Sequence, residues 1–306
     1  MRFALVRAGL GLLLAVAVAP AATLKIGTYN VENYGPANRM TAAGYRQDYP
    51  KPEEAKRALR EVIRAMNADL LFLQEMGSPA HLEELRRDLA AEGLPYAHAT
   101  VLEAGDDDRH IALLAKQPPL TVVPHRELRF KYFGAMTEVK RGLLEVRLAT
   151  ASGEITVWAL HLKSRYTDRP DDPQSAKRRA GEATVIRNHI LTQFPDPATA
   201  RFLVLGDFND AKASAPVRYM LKRGRTVIAK LLSAADSRGE NWTYHYGKED
   251  TYQRVDHILV SPGLRSSVQG GRAVIQDGPQ SGKASDHRPV WVTLEIPESA
   301  DLRIIQ

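Results

Sequence analysis

The sequence predicts an α/β fold with mixed sheets. Apolar runs of strand length alternate with segments of helical period, and some strand runs follow one another around short turns as in hairpins. In addition, four polar motifs close or open apolar runs, the places where a layered fold brings distant segments together.

Taken in order, Leu24-Lys25-Ile26 opens the first strand, and the segment 35–51, with its Pro, Gly and Tyr residues, reads as a loop. Pro52-Glu53-Glu54 then starts a helix, with proline and acidic residues in the first turn. Ala55, Leu59, Val62, Ile63 and Met66 recur at helical spacing and form its core face. Residues 69–75 read as the next strand, and 79–91 as a second amphipathic helix that ends near Gly93. Residues 109–115 form a strand after the acidic turn Asp106-Asp107-Asp108. Two more strands, 143–148 and 155–160, flank the turn Ala151-Ser152-Gly153. Residues 174–193 read as a helix with Ala176, Ala180, Ala183, Ile186 and Ile190 on one face.

With 306 residues and 44% hydrophobic content the chain can bury a large core. It shows no internal repeat or low-complexity tract, and candidate site residues spread from Asn30 to His287, which favours one domain over residues 22–306. The start differs from the rest. Arg2 and Arg7 precede the apolar run Leu10 to Val18, and Ala19-Pro20-Ala21 offers a small-residue cleavage site. Residues 1–21 thus read as a secretory signal peptide, too short in its apolar core for a spanning helix, so that no stable membrane anchor is expected after cleavage. The absence of cysteine excludes thiol catalysis and thiolate metal sites. The formal charge is +6, of which Arg2 and Arg7 supply two, a mild positive balance that favours polyanionic partners.

The four motifs are Thr28-Tyr29-Asn30-Val31-Glu32-Asn33, Leu73-Gln74-Glu75, Leu205-Gly206-Asp207-Phe208-Asn209-Asp210 and Ser285-Asp286-His287-Arg288-Pro289. Asn, Glu, Asp and His converging on one point suit a hard divalent cation, with a base left to activate water. Glu75, at the end of a buried run, needs either a cation or hydrogen-bond donors; a cap for the following turn is the structural alternative. Asp207 and Asn209 lie two apart and face one side if the chain stays extended, though an Asx turn after Gly206 is equally open. His287 beside a carboxylate can act as a general base or stabilise phosphate charge. His257 adjoins Asp256 on a strand and should point the other way, into packing.

This set, in this order, resembles the endonuclease/exonuclease/phosphatase superfamily, which includes deoxyribonucleases, abasic-site endonucleases, neutral sphingomyelinases and inositol polyphosphate phosphatases. Two further matches, Ala159-Leu160-His161-Leu162-Lys163-Ser164 and Arg254-Val255-Asp256-His257-Ile258-Leu259, extend the resemblance from about Leu24 to Glu295. It implies a four-layer sandwich of two mixed β-sheets flanked by helices, with the site at one edge. It also implies Glu75 at a metal with Asp286 next to it, Asn30 supporting the metal or positioning the scissile phosphate, and Glu32 standing where some members carry Asp. Asp207 is implied to position or activate the attacking water, Asn209 to hold a phosphate oxygen and Asp256 to partner His287. His161 matches an acid or phosphate contact, paired in the deoxyribonuclease branch with an acidic residue for which Asp108 is the nearest candidate. Lys163, Arg165 and Arg109 are expected to bind phosphate, with Arg141 and the cluster Lys177-Arg178-Arg179 extending a basic rim unless that cluster is a solvated helix face.

The expected activity is in-line attack of a Mg²⁺-oriented water on phosphorus, with Mn²⁺ able to substitute and Ca²⁺ able to assist. The expected substrate is DNA, with RNA or small and lipid phosphates as alternatives, for an exported enzyme working as a monomer. Tyr34, Tyr45, Tyr49 and the run Trp242 to Tyr246 offer rings for base stacking, if exposed. No exposed apolar element for membrane docking stands out in the sequence.

Overall fold

The computed structural model describes residues 22–41, 43–167 and 169–297. The proposed signal peptide therefore lies outside the described residues. Among the described residues no helix is long and apolar enough to cross a membrane.

Two large mixed sheets form the centre. The seven-stranded sheet runs in the order Ala234–Ala235, Ala273–Ile275, Val290–Ile296, Ala22–Asn30, Leu70–Met76, His110–Ala115, His98–Leu102. The six-stranded sheet runs Lys230–Leu231, Asp256–Val260, Phe202–Asp207, Ile155–His161, Leu143–Leu148, Thr121–His125. Strict alternation assigns each strand's faces. Leu70, Phe72, Val157, Ala159, Leu203 and Leu205 point into the core shared by the sheets. Leu71 and Leu73 pack outward against α1 (Glu53–Met66) and α2 (Pro79–Ala91). Trp158, Leu160, Phe202 and Val204 pack outward against α3 (Ala176–Gln193). The result is the helix–sheet–sheet–helix sandwich that the family resemblance implied.

The helices begin where the sequence marks them. Pro52 precedes α1, Glu53 and Glu54 fill its first turn, and Asn67 at φ 49° ends it in the left-handed conformation. Ala55 is only half-buried, while Leu59, Val62, Ile63 and Met66 form the core face. In α3 the carboxylate of Asp172 accepts from the backbone N–H groups of Lys177 and Arg178 at 2.8 and 3.0 Å, capping the first turn.

Two segments differ from expectation. The presumed loop 35–51 contains a hairpin, Ala37–Thr41 paired with Gly44–Tyr49, whose exposed polar strands carry no apolar alternation. A second hairpin, Arg129–Tyr132 with Ala135–Glu138, presents exposed Phe133 and Met136. An exposed apolar element therefore does exist.

Candidate active site

Strand ends build one polar cluster. Parallel pairing places Asn30 beside Gln74 and His161 beside Asp207, while antiparallel pairing places Asp207 opposite Asp256. The segment 285–289 leads into the Val290–Ile296 strand at the same end, where the Ser285 hydroxyl donates to the Asn30 carbonyl at 2.8 Å and accepts from the His287 N–H at 3.0 Å. Asn30, His161, Asp207, Asp256 and His287 are all buried.

The backbone bends sharply where the carboxylates emerge. Glu75 has φ 59°, and the register between its strand and His110–Ala115 shifts there, a bulge that turns the side chain into the site. Its Oε2 accepts from the Asn33 N–H at 3.0 Å, and Oε1 lies 4.0 Å from His161 Nε2. Asn33, itself at φ 49°, is thus a turn residue that donates to the carboxylate. Asn209 also sits in the left-handed region, so Asp207 and Asn209 are not two steps of an extended strand but close an Asx turn: the Asn209 N–H donates to Asp207 Oδ1 at 2.7 Å. The Asn209 amide then donates to Asp207 Oδ2 at 3.1 Å and to the Leu162 carbonyl at 3.0 Å.

Asp207 Oδ2 also accepts from the Asn30 amide at 3.1 Å. Burial, then the Asp256 charge, push its carboxyl up to about 7. His287 Nδ1 bonds Asp256 Oδ2 at 2.8 Å. Burial alone would favour the neutral ring, but the charge and bond of Asp256, with Asp207 and Asp286 nearby, raise His287 well above its ordinary value. His161, 3.5 Å from Asp207 Oδ2, goes the opposite way: burial and the charges of Arg141 and His287 hold it neutral. The site therefore contains one imidazole held cationic and one held neutral. His257 faces away, bonding the Asp210 carbonyl at 2.9 Å and packing on Phe208.

These groups form the floor of a cleft of about 1120 Å³. Glu32, Glu75, Asp207, Asn209, Asp286 and His287 line it, and Arg109, Arg141, Lys163 and Arg178 supply a cationic wall. Arg165 does not line it; its guanidinium points back to the Asn209 carbonyl at 3.4 Å. Burial, then Arg141 and Arg178, lower Lys163 to about 8. Glu32, near Asp286, is tied to buried Lys51 at 3.7 Å, and burial followed by the Asp286 charge raises its pKa.

Asp207, Asp256 and His287 lie close enough to hold an ion, yet the Asp256 carboxylate holds His287 in the cationic form, which has no lone pair to give a metal. The oxygens of Glu75, Asp286 and Asn30 are the hard donors that suit a divalent cation: Glu75 and Asp286 line the cleft, Glu75 has a single described hydrogen-bond donor, and Asn30 Oδ1 accepts from the Glu32 N–H at 3.0 Å.

Several residues were not recognised from sequence. Asp108 is exposed; the carboxylates within 4.0 Å of the His161 ring are Asp207 and Glu75. Asp106 instead braces buried Arg141 through a 2.8 Å bond. Arg179 is no solvated rim residue: it is 2% exposed and bonds Asp210 Oδ2 at 3.1 Å. Thr243 anchors the Asp256 strand, its hydroxyl accepting from the N–H groups of Val255 and Asp256 at 3.1 Å. Tyr34 is buried and serves packing, whereas Tyr244 lines the cleft and packs its ring 4.8 Å from that of His287.

The model of the Endonuclease/Exonuclease/phosphatase family matches residues 27–287. No curated protein matches the chain. Among solved structures, sphingomyelinase C from Streptomyces griseocarneus superposes with a TM-score of 0.61 at 17% identity, covering 89% of this chain and 99% of that one. The catalytic domain of human Nocturnin with bound sulfate gives 0.60 at 15% identity, covering 90% and 94%. Truncated TDP2 from Caenorhabditis elegans gives 0.59 at 13%, covering 89% and 97%. At these identities the likeness is one of fold.

Proposed function

The chain belongs to the Endonuclease/Exonuclease/phosphatase family, and on that premise we propose that it is an exported nuclease cleaving DNA phosphodiesters. Enzymes of the family are phosphoester hydrolases that use divalent metals. The observation that carries the reading is the pairing of an oxygen-donor floor with a cationic wall in one open cleft.

In this reading Glu75, Asp286 and Asn30 hold the cation. Mg²⁺ there would offset charge on the phosphoryl oxygens, and Mn²⁺ suits the same donors. Asp207, oriented by Asn30 and Asn209, takes the proton of the attacking water, its raised pKa matching neutral conditions. His287, held cationic by Asp256, faces the charge developing on the phosphate, and neutral His161 contacts the same group. Arg109, Arg141 and Lys163 position the flanking backbone. Water attacks in line with the leaving oxygen, without a covalent enzyme intermediate. The Tyr244 and Tyr166 rings at the cleft supply stacking surfaces for bases. The basic start and short apolar run of residues 1–21 support export, and a site completed within one chain supports a monomer.

A second reading is favoured by one feature. Exposed Met136 lines the cleft and Phe133 caps the same hairpin, a placement suited to a lipid phosphodiester at a membrane surface. The chain from Ala22, given supercoiled plasmid or sphingomyelin vesicles in Mg²⁺ and in EDTA, separates the two. Metal-dependent nicking supports the nuclease; intact plasmid with cleaved lipid moves the assignment to the second reading.

A further inference from the structure

A second set of ligating side chains lies on the outer face of the six-stranded sheet, under α3 and outside the cleft. His125 ends the edge strand Thr121–His125, and Glu145 sits in the middle of Leu143–Leu148. The register pairs Leu143 with His125 and Glu145 with Val123, so His125 and Glu145 are diagonal neighbours on the face that α3 covers. His189 and Gln193 descend from the last two turns of α3.

The distances are those of a compact site. His125 Nε2 is 2.7 Å from Glu145 Oε2, the rings of His125 and His189 are 4.3 Å apart, and one ligand atom from each of the three residues lies within 4.8 Å of the others. Trp158 closes the site from within the sheet, its ring 5.7 Å from both imidazoles. Glu145 is 1% exposed, and its position is set by Arg147 Nε on Oε1 at 2.6 Å and Gln193 Nε2 on Oε2 at 3.1 Å. Gln193 is oriented in turn by Arg147 Nη2 at 2.8 Å.

His189 is the least satisfied member. Its Nε2 has only a 3.4 Å contact with the Gln193 amide nitrogen. Burial and the neighbouring His125 ring lower its pKa, so it presents a neutral imidazole at neutral pH, the ligating form, with only that long contact to displace. Two imidazoles and one carboxylate match a Zn²⁺ donor set and match Mg²⁺ poorly. Ligand atoms around tetrahedral Zn²⁺ stand about 3.3 Å apart, so a small rotation that opens the His125–Glu145 contact completes the geometry. Arg147 and Gln193 already provide the outer bonds that hold such a carboxylate in place.

We propose that His125, Glu145 and His189 form a Zn²⁺-type transition-metal site that clips the C-terminal end of α3 to the edge of the sheet. It is separate in ligand chemistry from the oxygen-lined cleft and independent of which phosphodiester the enzyme cleaves. The clip acts on α3, whose first half carries Arg178 into the cleft lining.

The full chain, kept in excess Mg²⁺ to occupy the cleft, is loaded with Zn²⁺, dialysed into Zn²⁺-free Mg²⁺ buffer, and its retained zinc counted by atomic emission. One Zn²⁺ per chain is expected in the wild type and in Glu75→Gln, with none in His189→Ala or His125→Ala. A rise in thermal midpoint with Zn²⁺ should vanish in the same two variants. His189 is half-buried on the helix, so His189→Ala tests the site even if the His125 variant fails to fold. No retained zinc in the wild type, or unchanged zinc in folded His189→Ala, overturns the proposal.

Discussion

Asp207 and Asp256 stand directly opposite each other on neighbouring antiparallel strands, each only 1% exposed. Like charges in that position oppose folding, and burial compounds the cost. The arrangement persists because each carboxylate serves a different partner: Asp207 takes the amides of Asn30 and Asn209, and Asp256 takes the His287 ring. Two carboxylates a strand apart are thereby driven to different tasks.

Asp256→Asn removes the charge that keeps His287 protonated. The wild-type His287 pKa is raised, so the cationic ring persists through neutrality and is lost only as pH climbs through that raised value. In the variant, the alkaline limb of kcat/KM should move to lower pH and activity at pH 8 should fall about 100-fold. A pH–rate profile of both proteins checks this; an unmoved alkaline limb argues that Asp256 does not control the titrating group.

Lys163 titrates within reach of ordinary assays. Its pKa, lowered to about 8, means that its charge is present below that pH and lost above it. KM for a diester substrate should therefore rise as pH passes 8. Lys163→Arg keeps its charge at all these values and should flatten the rise. Equal KM profiles for the two proteins would place Lys163 outside substrate binding.

Gly206 carries a stricter demand. Its φ is 136°, and a Cβ there would meet the Leu160 carbonyl oxygen at 2.0 Å, on the neighbouring strand that ends in His161. Gly206→Ala should cost at least about 3 kcal/mol and lower activity through displaced Asp207, measured by urea unfolding and by kcat. Wild-type stability in that variant would mean the strand pair tolerates separation.

The sequence was informative where local chemistry and periodicity agree. The second helix lies over the predicted residues 79–91, and the strands 143–148 and 155–161 match closely, because apolar alternation and turn residues are local signals. Glu75, Asp207 and His287 from the strand-end motifs, and Asp256 from the family resemblance, meet in one cluster. What escaped was decided by contacts far apart in the chain. Arg179 sits in a basic run that suggests solvent, yet Asp210 and the carbonyls of Lys163 and Gln174 draw it inside. Asp106, rather than Asp108, turned inward because Arg141 waits there. The left-handed backbone of Glu75, which aims its carboxylate, has no signature in a glutamate.

The central claim is that the cleft hydrolyses phosphodiesters with a cation held through Glu75. Turnover of a simple aryl phosphodiester at saturating Mg²⁺, compared between wild type and Glu75→Gln, tests it most directly. The account predicts EDTA-sensitive turnover in the wild type and a loss of at least about 100-fold in the variant, with its fold intact by circular dichroism. Equal turnover in the two proteins, or turnover indifferent to EDTA, would contradict it.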